Sequence, residues 1–477
     1  MHTVEKVGGT SMSRVDEVLD NVFLSNGTDA PYGRIFVVSA YGGVTDMLLE
    51  HKHSGDPGVY ALVNEGENDT LWEQALTRVG EHLRRINHDI FPAGRQRAAA
   101  DAFVAERIEG ARTCLMDLQR LCSFGHFRMD EHLDTVREML ASIGEAHSAH
   151  NTVLLLKQRG VKARLIDLTG WKELQALPLD RYIASKFEGV DIQRELPVVT
   201  GYAKCEEGLM RSYDRGYSEL TFSRIATLTN AAEAIIHKEY HLSSADPRIV
   251  GTDNAVPIGR TNYDVADQLA ILGMEAIHPG AAQGLRRSGI PLRVRNSFEP
   301  DHAGTLIDAA YMSEQPRVEI IAGQRSVFAL EVFNHDMLDH PGHALKIQRT
   351  VDRYKVRTIQ RESNANTISY YLATTSKNIK RMQRDLEEAF PAAQISLRKV
   401  ALISAIGSNL SVAGLLSDCV SALSAADINI LAMQQPLRSV DMRFIVAESE
   451  YEPAITALHQ RVVERRPVQS IARSRVA

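Results

Sequence analysis

The residues best suited to chemistry stand at the start of the chain, where a lysine precedes a pair of glycines. Lys6 is followed by Gly8 and Gly9, and then by the hydroxyl residue Thr10. Adjacent glycines let a polyanion approach backbone amides, and free amides at a helix N-terminus attract phosphate. A lysine ammonium beside the same oxygens neutralises charge while a phosphoryl group is transferred. Because a Gly-Gly turn is often purely structural, this pattern predicts phosphate binding only together with other motifs.

A second group of polar residues occurs much later in the chain, where the pattern predicts a helix start. Arg215 and Gly216 are followed closely by Ser218 and Glu219. An arginine fork at this place can bind a carboxylate with two hydrogen bonds. Simple helix capping explains Ser218 equally well. Glu145 also has two interpretations. It could bind a ligand, or it could serve the helix alone, because a glutamate in a first helical turn is favourable without any ligand.

Short apolar strands alternate with glycine-rich turns and helices through the first two thirds of the chain. The near-continuous apolar run 34–40 predicts a strand that is buried on both faces, as in a parallel sheet. This strand leads through Ser39 into a second glycine-rich turn, which contains Thr45. We interpret residues 51–145 as a helical cover, with another helix beginning at 142–145. The repeated order predicts an α/β fold whose ligands bind at the carboxyl ends of the strands.

The last third of the chain has a different pattern, with two copies of the order β-α-β-β-α. The predicted strands are 326–333, 367–373, 400–406, 428–430 and 442–447. Such a repeat is typical of small ferredoxin-like domains. Because neither copy contains a nucleophile or a metal cluster, we expect a regulatory or dimerising role for them.

Composition narrows the range of partners. The 477 residues are 44% hydrophobic and 24% charged, as in ordinary soluble proteins with several domains. The net charge of -6 gives no electrostatic reason to expect nucleic acid or a membrane surface as a partner. The four cysteines lack the spacing of a disulfide framework or a zinc site. Since no apolar run is long enough to span a membrane, we expect a cytoplasmic protein.

Taken together, these blocks resemble the aspartate kinases of the amino-acid kinase family, in the same order and over essentially the whole chain. The matching motifs are KVGGTS at 6–11, VVSAYGGVTD at 37–46, SIGE at 142–145, RGYSE at 215–219, DPR at 246–248 and GMEAIHP at 273–279. The opening residues also resemble the aspartate kinases that accompany ectoine synthesis. The resemblance implies an amino-acid kinase-like three-layer sandwich with a parallel-rich sheet at 1–309, followed by ACT domains at 318–395 and 396–465.

The resemblance also implies a reaction. It is the MgATP-dependent phosphorylation of the L-aspartate side chain to 4-phospho-L-aspartate, the first step towards the aspartate-family amino acids and, for the ectoine-associated type, towards ectoine. This reaction needs no strong general base, because the nucleophile is already an anion at neutral pH. Magnesium would bind through the nucleotide phosphates and not at a protein metal site. A homodimer or higher homo-oligomer is expected, with any amino-acid effector binding near 334–342 and 364–369.

Individual roles follow from the same resemblance. Lys6 and Glu219 would be catalytic, with Lys6 bridging the transferring phosphoryl group. The nucleotide contacts would be Lys6, Gly8, Gly9, Thr10, Lys238, Arg248 and Glu275. The aspartate contacts would be Ser39, Thr45, Glu145, Arg215, Gly216 and Ser218.

The chain departs from the family pattern at several of these positions. Glu219 replaces an aspartate, and Tyr217 replaces a glycine. The nucleotide-contacting Trp-Thr-Asp becomes 236–238, Ile-His-Lys, and Glu275 replaces a lysine. We expect Lys238 and Glu275 to lie close together around the nucleotide. The positive charge is then at 238 and the negative charge at 275, which is the reverse of the family pattern.

Two alternatives stay open. The first is a kinase for another acidic amino acid, although the arginine block and the ACT pair speak against it. The second is a catalytically silent amino-acid sensor that keeps the ACT module, which the altered nucleotide motifs would explain.

Overall fold

The protein is described by a computed structural model over residues 1–25, 31–52, 54–66, 69–213, 216–274, 277–335 and 342–464. The chain divides into two compact units. The first unit consists of Met1–His241 with Ile277–Ala309, and the second of Leu242–Ala276 with Ala310–Ala477. The segment 242–276, which the sequence analysis assigns to the catalytic domain, therefore groups with the second unit.

The elements are numbered in chain order. The strands are β1 (Thr3–Val7), β2 (Arg34–Val38), β3 (Ala163–Ile166), β4 (Leu196–Thr200), β5 (Glu233–Lys238), β6 (Arg260–Asn262), β7 (Leu292–Asn296), β8 (Thr305–Asp308), β9 (Ile320–Phe333), β10 (Arg357–Ser363), β11 (Thr367–Ala373), β12 (Gln394–Ile406), β13 (Ala432–Gln434) and β14 (Asp441–Ala447). The helices are α1 (Gly9–Met12), α2 (Val15–Val18), α3 (Val44–Leu48), α4 (Val59–Glu65), α5 (Asp69–Ile90), α6 (Arg95–Cys122), α7 (Leu133–Gln158), α8 (Leu179–Phe187), α9 (Leu209–Tyr213), α10 (Tyr217–Leu228), α11 (Pro247–Val250), α12 (Tyr263–Ile271), α13 (Pro279–Arg287), α14 (Gly342–Arg353), α15 (Ser376–Ala389), α16 (Leu415–Ala425) and α17 (Tyr451–His459).

The first unit is built on a parallel-rich sheet with the strand order β3-β4-β2-β1-β5-β7-β8. Every neighbouring pair from β3 to β7 is parallel, and only the last pair, β7 with β8, is antiparallel. All residues of β2 are buried, as its apolar sequence predicts for a strand covered on both faces. β1 lies in the interior of this sheet, so its carboxyl end opens between those of β2 and β5.

The helical cover differs from the prediction at one functional point. We expected Glu145 in the first turn of a helix, but α7 runs without a break from Leu133 to Gln158 and places Glu145 near its middle. Gly144 continues the helix. Its lack of a Cβ lets α7 pack closely on the turn after β2. A Cβ at Gly144 would lie 2.8 Å from the Ala40 Cβ and 2.9 Å from a methyl group of Val44. A first-turn dipole effect therefore does not explain Glu145.

The second unit contains an antiparallel sheet with the strand order β10-β11-β9-β12-β14-β13. The two predicted copies are present as β9-α14-β10-β11-α15 and β12-α16-β13-β14-α17. The strand expected at 428–430 is displaced, because Asp427 has a φ of 58° and the ladder begins only at Ala432. No helix of the described ranges is long and apolar enough to cross a membrane.

Packing explains why 242–276 groups with this sheet. Val265, Leu269 and Leu272, in and just after α12, share a buried cluster with residues of β9 and β12. Ala245 and Val250 lie in a second cluster that includes residues of α16 and α17. The segment thus supplies core residues to two of the hydrophobic clusters of the second unit.

Candidate active site

The glycine-rich turn at the start of the chain lies between β1 and α1. Gly9 has to be glycine, because a Cβ there would lie 2.7 Å from the backbone oxygen of Ala40. Ser13 Oγ accepts a hydrogen bond from the Gly42 amide at 2.8 Å and donates one to the Gly9 oxygen at 3.3 Å. The two glycine-rich turns are therefore held together at the carboxyl ends of neighbouring strands.

Lys6 and Glu219 meet although 213 positions separate them. The Lys6 ammonium lies 3.4 Å from Glu219 Oε1, and the two side chains are only 11% and 12% exposed. The other oxygen of Glu219 accepts a short hydrogen bond from the His278 amide, and the His278 ring packs where a Gly216 Cβ would be. Burial would raise the pKa of Glu219, but Lys6, Lys238 and this amide outweigh burial and lower it. Glu219 is therefore a carboxylate at neutral pH and holds the Lys6 ammonium in place.

Glu145 and Ser218 form a second buried pair. Ser218 Oγ donates to Glu145 Oε1 at 2.8 Å, whereas Oε2 is buried without a hydrogen-bond partner among the described residues. Burial raises the pKa of Glu145 to about 8, although the Ser218 hydroxyl, the Lys6 ammonium and the Tyr202 amide act in the opposite direction. A buried carboxyl group with one open oxygen is suited to receive a cationic ligand group such as an ammonium.

Ser39 and Thr45 lie on the turn after β2. The Ser39 amide donates to the Val7 oxygen at 3.2 Å, and Ser148 Oγ of α7 donates to the Ser39 oxygen at 2.7 Å. Thr45 is half-buried in the first turn of α3. The turn is thus tied both to the strand of the lysine and to the helix of Glu145.

The first turn of α1 carries two hydroxyl residues in different environments. Thr10 is exposed, whereas Ser11 is completely buried. The Ser11 hydroxyl donates to Glu239 Oε1 at 3.3 Å and accepts a hydrogen bond from Ser297 Oγ at 3.0 Å. The sequence analysis did not select Ser11, Glu239 or Ser297 for the site. Only the position of Ser11 beside the glycine pair could have indicated them.

Neighbouring residues of β5 point to opposite faces of the sheet, which separates His237 from Lys238. Lys238 is on the Lys6 face, where its charge acts on the carboxylate paired with Lys6. His237 is 3% exposed, and its Nε2 donates to Glu5 Oε2 at 2.7 Å. Arg34 donates two hydrogen bonds to the same carboxylate, at 2.7 and 2.8 Å. The His237 side chain therefore belongs to a buried network of the sheet, which the sequence motif did not reveal.

Arg215 and Glu275 lie outside the described residues, as does the expected proximity of Lys238 to Glu275. Arg248 belongs to the second unit, where its exposed guanidinium pairs with Asp246 at 2.7 Å. Gly8 is described, and its amide donates to a backbone oxygen of β5 at 3.3 Å.

Comparisons with known proteins agree with this combination of parallel-rich sheet, glycine turn and buried lysine. The sequence profile of the amino acid kinase family matches residues 1–296. The chain belongs to the amino acid kinase family.

Similar proteins narrow the class. Aspartate kinase Ask_Ect of Stutzerimonas stutzeri (strain A1501) is 53% identical over 465 residues, which cover 97% of this chain and 98% of that protein. The chloroplastic aspartokinase 3 of Arabidopsis thaliana is 25% identical over 494 residues, covering 98% of this chain and 83% of that protein. The resemblance to aspartate kinases inferred from the motifs is confirmed.

Solved structures have the same fold. E. coli aspartokinase III in complex with aspartate and ADP, in its R-state, gives a TM-score of 0.72 at 20% identity, over 97% of this chain and 99% of that chain. Clostridium acetobutylicum aspartate kinase gives 0.72 at 18% identity, over 96% and 100%. The predicted fold class, an amino-acid kinase fold followed by an antiparallel C-terminal sheet, is confirmed.

Proposed function

We propose that this chain is an aspartate kinase that transfers the γ-phosphoryl group of ATP to the side-chain carboxylate of L-aspartate. Its 53% identity to an aspartate kinase over nearly the whole length supports this function. The observation that best supports this function is at the start of α10, where Ser218 and Glu219 are consecutive. Ser218 binds the carboxyl group of Glu145, and Glu219 binds the ammonium of Lys6. The start of α10 thus holds both Lys6, whose ammonium is suited to bind phosphate, and Glu145, whose carboxyl group is suited to bind an amino group.

The proposed reaction requires alignment more than proton transfer. An oxygen of the aspartate side chain attacks the γ-phosphorus, the bond to the β–γ bridging oxygen breaks, and ADP leaves with the electron pair. Because the attacking carboxylate is already ionised, no proton has to be removed. We assign to Lys6 the neutralisation of charge on the transferring group, with Glu219 orienting it. We assign the substrate ammonium to Glu145 and a substrate carboxylate to Arg215.

The remaining contacts are proposed on the family pattern. For aspartate they are Ser39, Thr45, Gly216 and Ser218; for the nucleotide they are Gly8, Gly9, Thr10, Lys238, Arg248 and Glu275. Mg²⁺ is proposed to bind through the nucleotide phosphates. The donors present fit a cation that arrives with its nucleotide, because the carboxylates of Glu219 and Glu239 border the turn and Mg²⁺ keeps several water ligands.

The wider organisation is also proposed. We keep the catalytic domain at 1–309, the ACT domains at 318–395 and 396–465, a cytoplasmic location, and a homodimer or higher homo-oligomer. The name of the relative Ask_Ect is in keeping with the ectoine-associated type. E. coli aspartokinase III has been solved with lysine and aspartate in its T-state. Titrating lysine and threonine, separately and together, into the kinase assay tests whether an effector acts on this chain.

Aspartate-dependent release of ADP from MgATP tests the proposed activity. We expect Lys6→Ala to lower kcat about a hundred-fold or more, because charge on the transferring group loses its partner. Lys162→Ala, which removes an exposed lysine of the same unit, is the matched control.

Glutamate and acetylglutamate tested in place of aspartate separate the other acidic amino acid kinases. Absence of ADP release from folded wild-type protein with magnesium would instead support the silent amino-acid sensor.

A further inference from the structure

We propose that Glu138 is a positioning residue for aspartate, because it clamps the loop segment after β4 that leads to Ser218 at the start of α10. This inference rests on the proposed aspartate kinase function. Glu138 lies on α7, two helical turns before Glu145, so the two side chains are on the same face of the helix. α7 therefore carries both the proposed ammonium ligand and the acceptor of the neighbouring loop.

The carboxylate of Glu138 binds the loop at two places. The Tyr202 hydroxyl, just after β4, donates to Glu138 Oε2 at 2.5 Å. The amides of Met210 and Arg211 donate to Glu138 Oε1 at 2.8 and 3.4 Å. These amides belong to the first turn of α9, where N–H groups have no partner within the helix and attract a negative charge. One carboxylate thus holds both the start of the loop and the helix inside it.

The loop is also folded around this carboxylate. Gly208 has a φ of 70°, and a Cβ at this position would lie 3.4 Å from Glu138 Oε1. At the far end of the loop, the Tyr217 ring packs edge-to-face on Tyr202, with the ring centroids 5.7 Å apart and the planes at 79°. Tyr202 therefore connects the beginning of the loop to its end.

The clamp formed by Glu138 affects the part of the site that is proposed to bind aspartate. The next helix after α9 is α10, which begins at Tyr217. Tyr217 is followed by Ser218, which binds Glu145 at 2.8 Å. Because α7 holds the loop at both ends, releasing Glu138 is expected to disturb the proposed aspartate contacts. The described residues of the glycine turn after β1 form no hydrogen bond or ion pair with Glu138, so nucleotide binding is expected to remain.

Steady-state kinetics with both substrates tests the clamp. We expect Glu138→Ala, which removes all three hydrogen bonds to the carboxylate, to raise KM for L-aspartate about ten-fold. Tyr202→Phe and Glu138→Gln, which remove fewer contacts, should give a smaller increase in the same direction. The KM for ATP should change little, whereas the melting temperature of Glu138→Ala should fall, because the buried Tyr202 hydroxyl loses its acceptor. Glu173→Gln is the matched control, because Glu173 also accepts a tyrosine hydroxyl, from Tyr182 at 3.0 Å, on a different loop.

Calorimetric titration of each variant with L-aspartate gives the affinity independently of turnover. An unchanged KM and affinity for aspartate in folded Glu138→Ala and Tyr202→Phe would overturn the clamp. Equal losses for ATP and aspartate, or the same loss in Glu173→Gln, would also overturn it, because they indicate a general effect on stability. Wild-type protein that binds aspartate without turnover contradicts the proposed function, while the comparison of affinities still decides on Glu138. Wild-type protein that does not bind aspartate contradicts both.

Discussion

Glu145 shows how a single buried residue can couple substrate binding to pH. Burial raises its pKa to about 8, so the carboxyl group is mostly protonated at neutral pH in the free protein. Its Oε2 has no hydrogen-bond partner in the described chain, although Oε1 accepts from Ser218. An ammonium placed at Oε2 would favour the ionised form. Binding of a cationic group therefore has to displace a proton.

We predict that L-aspartate binding at pH 7 releases a proton from Glu145. The measurement is calorimetry in buffers of different ionisation enthalpy, from which the number of released protons is obtained. Glu145→Gln should bind aspartate more weakly and release no proton, because its amide cannot ionise. Equal proton release by the wild type and this variant would contradict the assignment of the ammonium to Glu145.

Stability gives a second check of the same pKa. A carboxyl group whose folded pKa exceeds its unfolded value stabilises the protein fully below the unfolded value, and this contribution is lost as pH rises through the folded pKa. For Glu145 the window lies between 4.5 and about 8. Across it, the free energy of unfolding of the wild type should fall relative to that of Glu145→Gln.

At the scale of elements, one buried ion network joins the three central strands of the first sheet. Glu5 on β1 is bound by Arg34 on β2 and by His237 on β5, on the face opposite Lys6. Glu5 and Arg34 are 3% and 6% exposed. Burial alone would raise the pKa of Glu5, but Arg34 and His237 outweigh it and hold the pKa far below its usual range. The network links β1, which carries Lys6, to β2 and to β5, which carries Lys238.

We predict that Arg34→Met lowers the free energy of unfolding by about 3–5 kcal/mol, because it leaves the Glu5 carboxylate buried without its main partner. Chemical denaturation measures the change. The control is Arg128→Ala, which removes a pair with Asp130 whose side chains are 69% and 58% exposed. Exposed pairs contribute about 0–1 kcal/mol. Similar losses in the two variants would show that the buried network is not a main source of stability.

Local patterns predicted the elements better than the contacts between them. The apolar run of β2 and the glycine turn after Lys6 were readable because each depends on a few adjacent residues. The break expected before Glu145 was wrong, since Gly144 is required by packing against the turn after β2 and not by a helix end. The pairs of Ser11 with Ser297 and of Glu138 with Tyr202 depend on where distant elements meet. No local sequence pattern shows which distant elements come into contact, so these pairs could not be predicted.

At the scale of the whole molecule, the sequence motifs and the compact units divide the chain differently. The family motifs run continuously to 279, whereas 242–276 packs with the second unit. In and after α12, Val265, Leu269 and Leu272 are buried against the second sheet. A motif shows which residues have a common ancestry, but packing decides which of them fold together.

We predict that a fragment consisting of residues 1–309 is poorly soluble, although it matches the catalytic domain proposed from the motifs. Removing the second sheet exposes the apolar side chains of Val265, Leu269 and Leu272, and exposed apolar surface promotes aggregation. The soluble fraction after expression, compared with the full chain, measures this. As a control, the fragment with Val265→Lys, Leu269→Glu and Leu272→Lys should be more soluble. A soluble, monomeric wild-type fragment would contradict the prediction.

The chain passes from one unit to the other after residues 241, 276 and 309. A module encoded in two separate stretches cannot be acquired or exchanged by one recombination event, because a single crossover would divide its hydrophobic core. Grafting the second unit of a relative onto this kinase would therefore need three matched splice points. Inherited changes in the second unit are accordingly expected as substitutions at single positions and not as replacement of the whole unit.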